Sequence, residues 1–256
     1  MTESFGVPAG VQPESPGTER RIPVYLLLDT SGSMEGAGIE SLNLGLTHFV
    51  RDVTENYIAR DCVHVGVITF SSEAQLITGG LVPISAFQPP LLNAGGVTRL
   101  DLAFQELRKS LDRDIIKPIL YKQKGDGRPI VFVFTDGKPT DADGNLSDNW
   151  KPARDSVVSD QIGGTAPKGS VRLYDVIVVG CGTEPDDATL KAISTGLAFK
   201  VGKDDIGFGQ FIKLATMVSI LSAQRQAGGG AGADQVQAPL IRKEDLPPDI
   251  IDLRIP

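Results

Sequence analysis

The stretch Val24-Tyr25-Leu26-Leu27-Leu28-Asp29-Thr30-Ser31-Gly32-Ser33 decides how the chain folds. Its first half is short, wholly apolar and entered through Pro23, so it predicts a strand buried on both faces of a sheet. The run stops at Asp-x-Ser-x-Ser. That leaves one carboxylate and two hydroxyls at the carboxyl end of the strand, the edge where open parallel sheets bind their ligands. A second apolar run, Ile130-Val131-Phe132-Val133-Phe134, ends in Thr135-Asp136-Gly137. Between the two, the glycine loop Asn93-Ala94-Gly95-Gly96-Val97-Thr98 delivers a threonine just before a helix. Asp29, Ser31, Ser33, Thr98 and Asp136 make an oxygen-only set, the donor type preferred by a small hard divalent cation.

Outward from this stretch, strand and helix patterns alternate. Ile39, Leu42, Leu46, Phe49, Val50 and Val53 recur at helical spacing and predict a helix to about Ala59. Val63 to Phe70 reads as a second sheet strand, and Ala74 to Thr78 as an antiparallel edge strand. Pro83 to Pro90 reads as irregular. Leu100, Ala103, Phe104, Leu107 and Leu111 mark a second helix, which Pro118 stops or kinks. Asp148 to about Ile162 reads as helical with Trp150, Val157 and Val158 inward, and Val171 to Val179 as a central strand. Ala188 to Ile193 is a short helix, Ala198 to Val201 a last strand and Phe208 to Gln224 a final helix. The order implies an α/β fold: a doubly wound, Rossmann-like, mostly parallel sheet with one antiparallel edge strand and helices on both faces. Residues 1–20 read as a flexible leader, 21–226 as the domain and 227–256 as a glycine-rich linker with a Pro- and acid-rich tail.

Composition narrows the function classes. The chain has 256 residues, 41% of them hydrophobic, enough for one well-buried core. No stretch has the apolar length of a membrane span, and Met1 to Arg21 lacks the layout of a secretory signal, so a cytoplasmic protein is expected. Cys62 and Cys181 are too few for a disulfide framework or structural zinc site and are expected to be reduced, with Cys62 at the start of a strand. A net charge of −7 argues against nucleic acid or anionic membrane as partner. His48 and His64 lack companions with which to hold a metal. The loop Asp141 to Asp148 has a passing likeness to an EF-hand. However, Gly144 is misplaced and Pro152 stands where the closing glutamate belongs, so a surface loop and helix cap is expected. Gly95-Gly96 is not a nucleotide loop, because no Gly-Lys-Ser/Thr follows. Ser31 or Ser33 as nucleophile would need a nearby base, and neither histidine lies in a strand-end loop. Metal-dependent hydrolysis or phosphatase chemistry on Asp29 and Asp136 is the alternative, with Lys138 or Arg99 as the cationic clamp. Arg99 borders the glycine loop, where it would either steer an acidic partner or sit in solvent.

Taken singly, each motif has a plainer reading. Asp-x-Ser-x-Ser suits an N-cap and turn, Thr98 a cap of the next helix, and Asp136-Gly137 a turn. Together, three ordered motifs resemble the von Willebrand factor A (VWA) domain, over roughly residues 20 to 225. The phrases Pro23 to Met34 and Gly125 through Asp141 further resemble the bacterial TerY-type branch, associated with tellurite resistance and stress operons. The resemblance implies a metal-ion-dependent adhesion site (MIDAS). In it Ser31, Ser33 and Thr98 would be direct ligands, and Asp29 and Asp136 would act largely through bound water. It implies Mg2+, with Mn2+ as substitute and Ca2+ less suited. It also implies a non-enzymatic module that binds an Asp or Glu of a partner protein through the ion. Relatives of the TerY branch are often encoded beside a protein kinase and a metal-dependent Ser/Thr phosphatase, which makes these expected associates. A metal-independent scaffold is the remaining alternative.

The tail has its own pattern. Glu244, Asp245, Asp249 and Asp252 interleave with Leu246, Ile250, Ile251 and Leu253. Acids among branched apolar residues suggest a segment that docks, on its own domain or on a partner, with these carboxylates as candidate ligands for a second molecule's metal.

Overall fold

The structure is a computed structural model that describes residues 20–117, 125–158, 171, 173–181, 187–201 and 250–252. The strands are β1 (Ile22–Asp29), β2 (Val63–Phe70), β3 (Ala74–Leu76), β4 (Val82–Pro83), β5 (Ile130–Thr135), β6 (Asp175–Cys181), β7 (Ala198–Val201) and β8 (Ile250–Asp252). They form one sheet in the order β3-β2-β1-β5-β6-β7-β8, with β4 also paired to β2. The pairs from β2 across to β7 are parallel, whereas β3, β4 and β8 run antiparallel to their neighbours. The doubly wound, mostly parallel fold class is therefore observed. The short antiparallel strands β3 and β4 lie on the flank of β2, and β8 closes the opposite edge.

The apolar run of β1 is buried along its whole length because each face of the sheet carries helices. Val24, Leu26 and Leu28 pack with Leu42, Leu46, Phe49 and Val53 of α1 (Ala37–Glu55). Tyr25 and Leu27, pointing the other way, join Leu100, Phe104, Leu107 and Leu111 of α3 (Leu100–Asp114). Trp150, Val157 and Val158 of α4 (Trp150–Val158) and Leu190 and Ile193 of α5 (Asp187–Ile193) complete that second layer. The alternation along one strand thus assigns the helices to two faces.

Four elements differ from the sequence expectation, one of them β8, a strand beyond the expected last strand Ala198 to Val201. The first helix does not continue to Ala59, because Asn56 turns extended and its side chain accepts the Ala59 N–H at 3.0 Å. That cap opens a separate helix α2 (Tyr57–Cys62), so Cys62, buried, ends a helix rather than beginning a strand. At the head of the Pro83 to Pro90 segment, Pro83 pairs with His64, continuing the pairing of Val82 with Val65. β6 starts at Asp175 rather than Val171, since its partner β5 is preceded by Pro129, whose carbonyl takes the Tyr174 N–H at 2.7 Å. The expected helix Phe208 to Gln224 lies outside the described residues, as does the end of the Asp148 to Ile162 helix.

Gly66 lies directly opposite Tyr25 in the register, and the Tyr25 ring crosses it to place its hydroxyl 3.0 Å from Ser110 Oγ. A methyl group on residue 66 would lie 2.7 Å from a Tyr25 ring carbon, closer than carbon atoms pack. Gly66→Ala is therefore expected to destabilise the domain by about 1–3 kcal/mol. The expected observation is a lower urea midpoint with unchanged slope, and an unchanged midpoint would show that the sheet accommodates the methyl group.

Candidate metal centre

The connection between β1 and β2 goes to one side of β1, and β5 pairs on the other. This reversal opens a crevice at the carboxyl ends of β1 and β5, where Leu28 pairs with Phe134. Asp29 and Thr135, each one residue further on, therefore lie side by side.

Asp29 is completely buried and both of its oxygens are occupied. Oδ1 accepts the Ser31 N–H at 2.8 Å and Oδ2 accepts the Thr135 hydroxyl at 2.6 Å. Burial pushes its carboxyl up to about 6. The Ser31 and Thr135 hydrogen bonds oppose this rise, and the nearby Asp136 adds to it. The carboxylate shapes the loop: by holding the Ser31 amide it fixes the turn Gly32–Met34, whose Met34 is buried as an anchor.

The hydroxyls then line up. Ser31 Oγ lies 3.1 Å from Ser33 Oγ, and Ser33 donates to Asp136 Oδ1 at 2.7 Å. Ser31 is buried, whereas Ser33 opens to solvent. Thr98 reaches the same place from the glycine loop. A methyl group on Gly137 would lie 3.2 Å from Thr98 Oγ1 and 3.4 Å from Ser33 Oγ, so hydroxyls from two separate loops face one point beside Gly137.

Backbone bonds hold these loops in register. The Gly95 N–H donates to the Thr30 carbonyl at 2.8 Å and the Gly32 N–H to the Gly96 carbonyl at 2.9 Å. Gly96 adopts φ +84°, the left-handed region that favours glycine, and packs against Ser72. Thr140 fastens the third segment: its hydroxyl accepts the Thr98 N–H and its own N–H donates to the Thr98 carbonyl, both at 2.9 Å.

Thr135 and Thr140 are contributors that the motif reading did not single out. Thr135 stands in the quoted Thr-Asp-Gly, so a strand-end hydroxyl beside a buried acid was the available signal. Thr140 had none, because its role depends on the turn made by Asp141. In that turn Asp141 Oδ1 accepts the N–H groups of Asp143 and Asn145, both at 2.9 Å, and Thr140 bridges Leu146.

Arg99 is neither solvated nor free to steer a partner. Its Nε and Nη2 donate to the two oxygens of Asp101, both at 2.8 Å, within one turn of α3. The bidentate pair holds the Asp101 carboxyl below its usual range, against the burial that would raise it. His64 lies opposite Pro23 at the amino end of β1, the length of the strand away from Asp29. Among the described residues no three His, Cys, Asp or Glu side chains gather. The donors at this edge are hydroxyl and carboxylate oxygens, a set chemically suited to a small hard divalent cation.

Solved structures share the architecture. The chain aligns with a von Willebrand factor type A structure from Catenulispora acidiphila at 14% identity and TM-score 0.54, over 78% of this chain and 43% of that one. The fold is that of a VWA domain. The chain also aligns with the pilus adhesin SpaC from Lactobacillus rhamnosus GG in its open conformation, at 13% identity and TM-score 0.56, over 79% of this chain and 30% of that one. The D319A mutant of the PilB minor pilin from Streptococcus sanguinis aligns at 13% identity and TM-score 0.54, over 86% and 65% respectively. The chain thus spans less than two thirds of the length of each of these three. No protein-family model and no curated protein matches its sequence. Among the described residues of this VWA fold, no helix is long and apolar enough to cross a membrane.

Proposed function

We propose that the chain is a protein-interaction module that binds partners through a divalent cation held at the β1/β5 edge. The observation that carries this reading is a run of oxygens from three segments, Ser31 against Ser33, Ser33 against Asp136, and Ser33 and Thr98 both facing Gly137, with buried Asp29 fixing the loop behind them. Ser31, Ser33 and Thr98 would hold Mg2+, with Mn2+ able to replace it and Ca2+ less suited. Asp29 and Asp136 would balance most of its charge. Neutral hydroxyls leave such an ion electrophilic, so the chemistry it supplies is affinity for a carboxylate oxygen of another molecule. The occurrence of this fold in a pilus adhesin and a minor pilin supports an interaction role over catalysis. So does the placement of Arg99, which is committed to Asp101 and not available as a phosphate clamp.

The resemblance of Pro23 to Met34 and of Gly125 through Asp141 to the TerY branch supports a finer reading. On it the module works in the bacterial cytoplasm within a stress-response or defence assembly, beside a protein kinase and a metal-dependent Ser/Thr phosphatase. The test is capture of partners on the immobilised chain with Mg2+, with and without EDTA, identified by mass spectrometry. Partners released by EDTA are expected, and a partner set indifferent to EDTA contradicts the proposal. Gly137→Ala sharpens the test. Its methyl group would fill the point between Thr98 and Ser33, so EDTA-sensitive capture should be lost while the melting temperature stays near that of the parent chain. Retained capture would place the binding surface elsewhere.

A further inference from the structure

The strand β8 is attached to the sheet in an unusual way. It pairs antiparallel with β7, Ile250 opposite Val201, Ile251 opposite Lys200 and Asp252 opposite Phe199. The chain leaves β7 at Val201 and returns at Ile250, so residues 202–249 connect two strands that a tight turn would join. That connection includes Gly228-Gly229-Gly230-Ala231-Gly232, a composition of flexible linkers. The paired segment is bounded by Pro247-Pro248 on one side and Pro256 on the other, residues with no N–H to give a ladder. Between them Asp249-Ile250-Ile251-Asp252-Leu253-Arg254-Ile255 is rich in branched residues that favour strands. Without β8, the outer edge of β7 would present a row of unpaired N–H and C=O groups, a template for another strand.

We propose that the outer edge of β7 is a strand-acceptor site that takes residues 250–252 from a second copy of this chain as well as from its own, so that two copies exchange C-terminal strands. The pairing itself chooses the occupant, because the sequence seated on β7 is this chain's own and a second copy offers the identical segment. The contacts are the same in both arrangements, so the balance is set by chain concentration against the effective concentration of the tethered strand. The 48 residues between the two strands set that effective concentration, and exchange rises with chain concentration. The exchange needs no metal and stands apart from the proposed cation site.

The test is a mixed-chain cross-link in the full-length protein, in EDTA. Lys200→Cys and Ile251→Cys stand directly opposite each other and are made in a Cys181→Ser background, the other native cysteine, Cys62, being buried. When the two single variants are mixed and oxidised, strand exchange joins position 200 of one chain to position 251 of another in excess over the 200–200 and 251–251 links that random collision makes. The expected product is a covalent dimer carrying that 200–251 link by mass spectrometry, its yield rising with chain concentration. A single chain carrying both substitutions should close on itself when dilute. Closure of the doubly substituted chain with no such excess of the 200–251 link in the mixture at any concentration overturns the proposal. Failure of both also overturns it, because β8 then does not occupy β7 in solution. In the same Cys181→Ser background, needed because Cys181 lies opposite Val201 on the other side of β7, Val201→Cys with Ile250→Cys is a second opposed pair that reads out the same geometry should the first disturb folding.

Discussion

Asp29→Asn is expected to make the metal-free domain more stable at neutral pH while removing its response to divalent cations. The Asp29 carboxyl titrates at about 6 in the folded chain against an ordinary value of 3.8. Its folded form therefore holds a proton that the unfolded form has released, between those two values. The stability this group contributes is fully present below about pH 3.8 and is lost as pH rises through about 6. Two pH units correspond to about 3 kcal/mol. The substituted amide carries no such dependence. Its oxygen keeps the Ser31 N–H, and its NH2 group can donate to Thr135, whose hydroxyl already lies 3.2 Å from the Gly137 carbonyl and can turn to it. In EDTA, urea titrations of parent and variant should nearly coincide at pH 4 and diverge by about 2–3 kcal/mol in favour of the variant above pH 6.5. Asp101, Asp114 and Asp141, whose carboxyls are held low, act in the opposite sense but cancel in the comparison. Coincident curves at every pH would mean that Asp29 is not strained by its burial.

The second large effect concerns the hydroxyls. Ser31→Ala with Ser33→Ala removes two donors whose oxygens touch each other and Asp136 but contribute nothing to either face of the core. Mg2+ binding measured by calorimetry should vanish, while the metal-free domain stays folded, exposed Ser33→Ala costing about 0.5 kcal/mol at most and buried Ser31→Ala about 1 kcal/mol, the net worth of a hydrogen bond. Saturating Mg2+ should raise the melting temperature of the parent chain and leave the double variant unmoved. Equal Mg2+ affinity in the two proteins would show that the hydroxyls are turn-forming groups only.

Much of the fold was legible because its central strands are wholly apolar. β1 and β5 could hardly be anything but strands covered on both sides, while their adjacency was implied only by the resemblance to VWA domains. What escaped the pattern was set by single polar groups. The helical periodicity runs on past Asn56, yet that side chain caps a new helix and shifts Cys62 from a strand to a helix end. β4 and β8 are too short to show a period, and their existence depends on what lies beside them. At the candidate site, the motifs located the segments that the sheet brings together, because strand ends in a parallel sheet share an edge. They could not show that Thr135 occupies the second oxygen of Asp29, that Thr140 fastens Thr98, or that Arg99 is bound to Asp101. Those outcomes follow from loop geometry, in which a side chain finds a backbone or carboxylate partner several residues away.

The most direct measurement is a titration of the full-length parent chain with Mn2+, followed by the loss of the free-ion electron paramagnetic resonance signal. One ion should be taken up per chain, displaced by Mg2+ and absent from the Ser31→Ala/Ser33→Ala variant. No uptake by the parent chain, or the same uptake by the variant, would contradict a cation site at the β1/β5 edge.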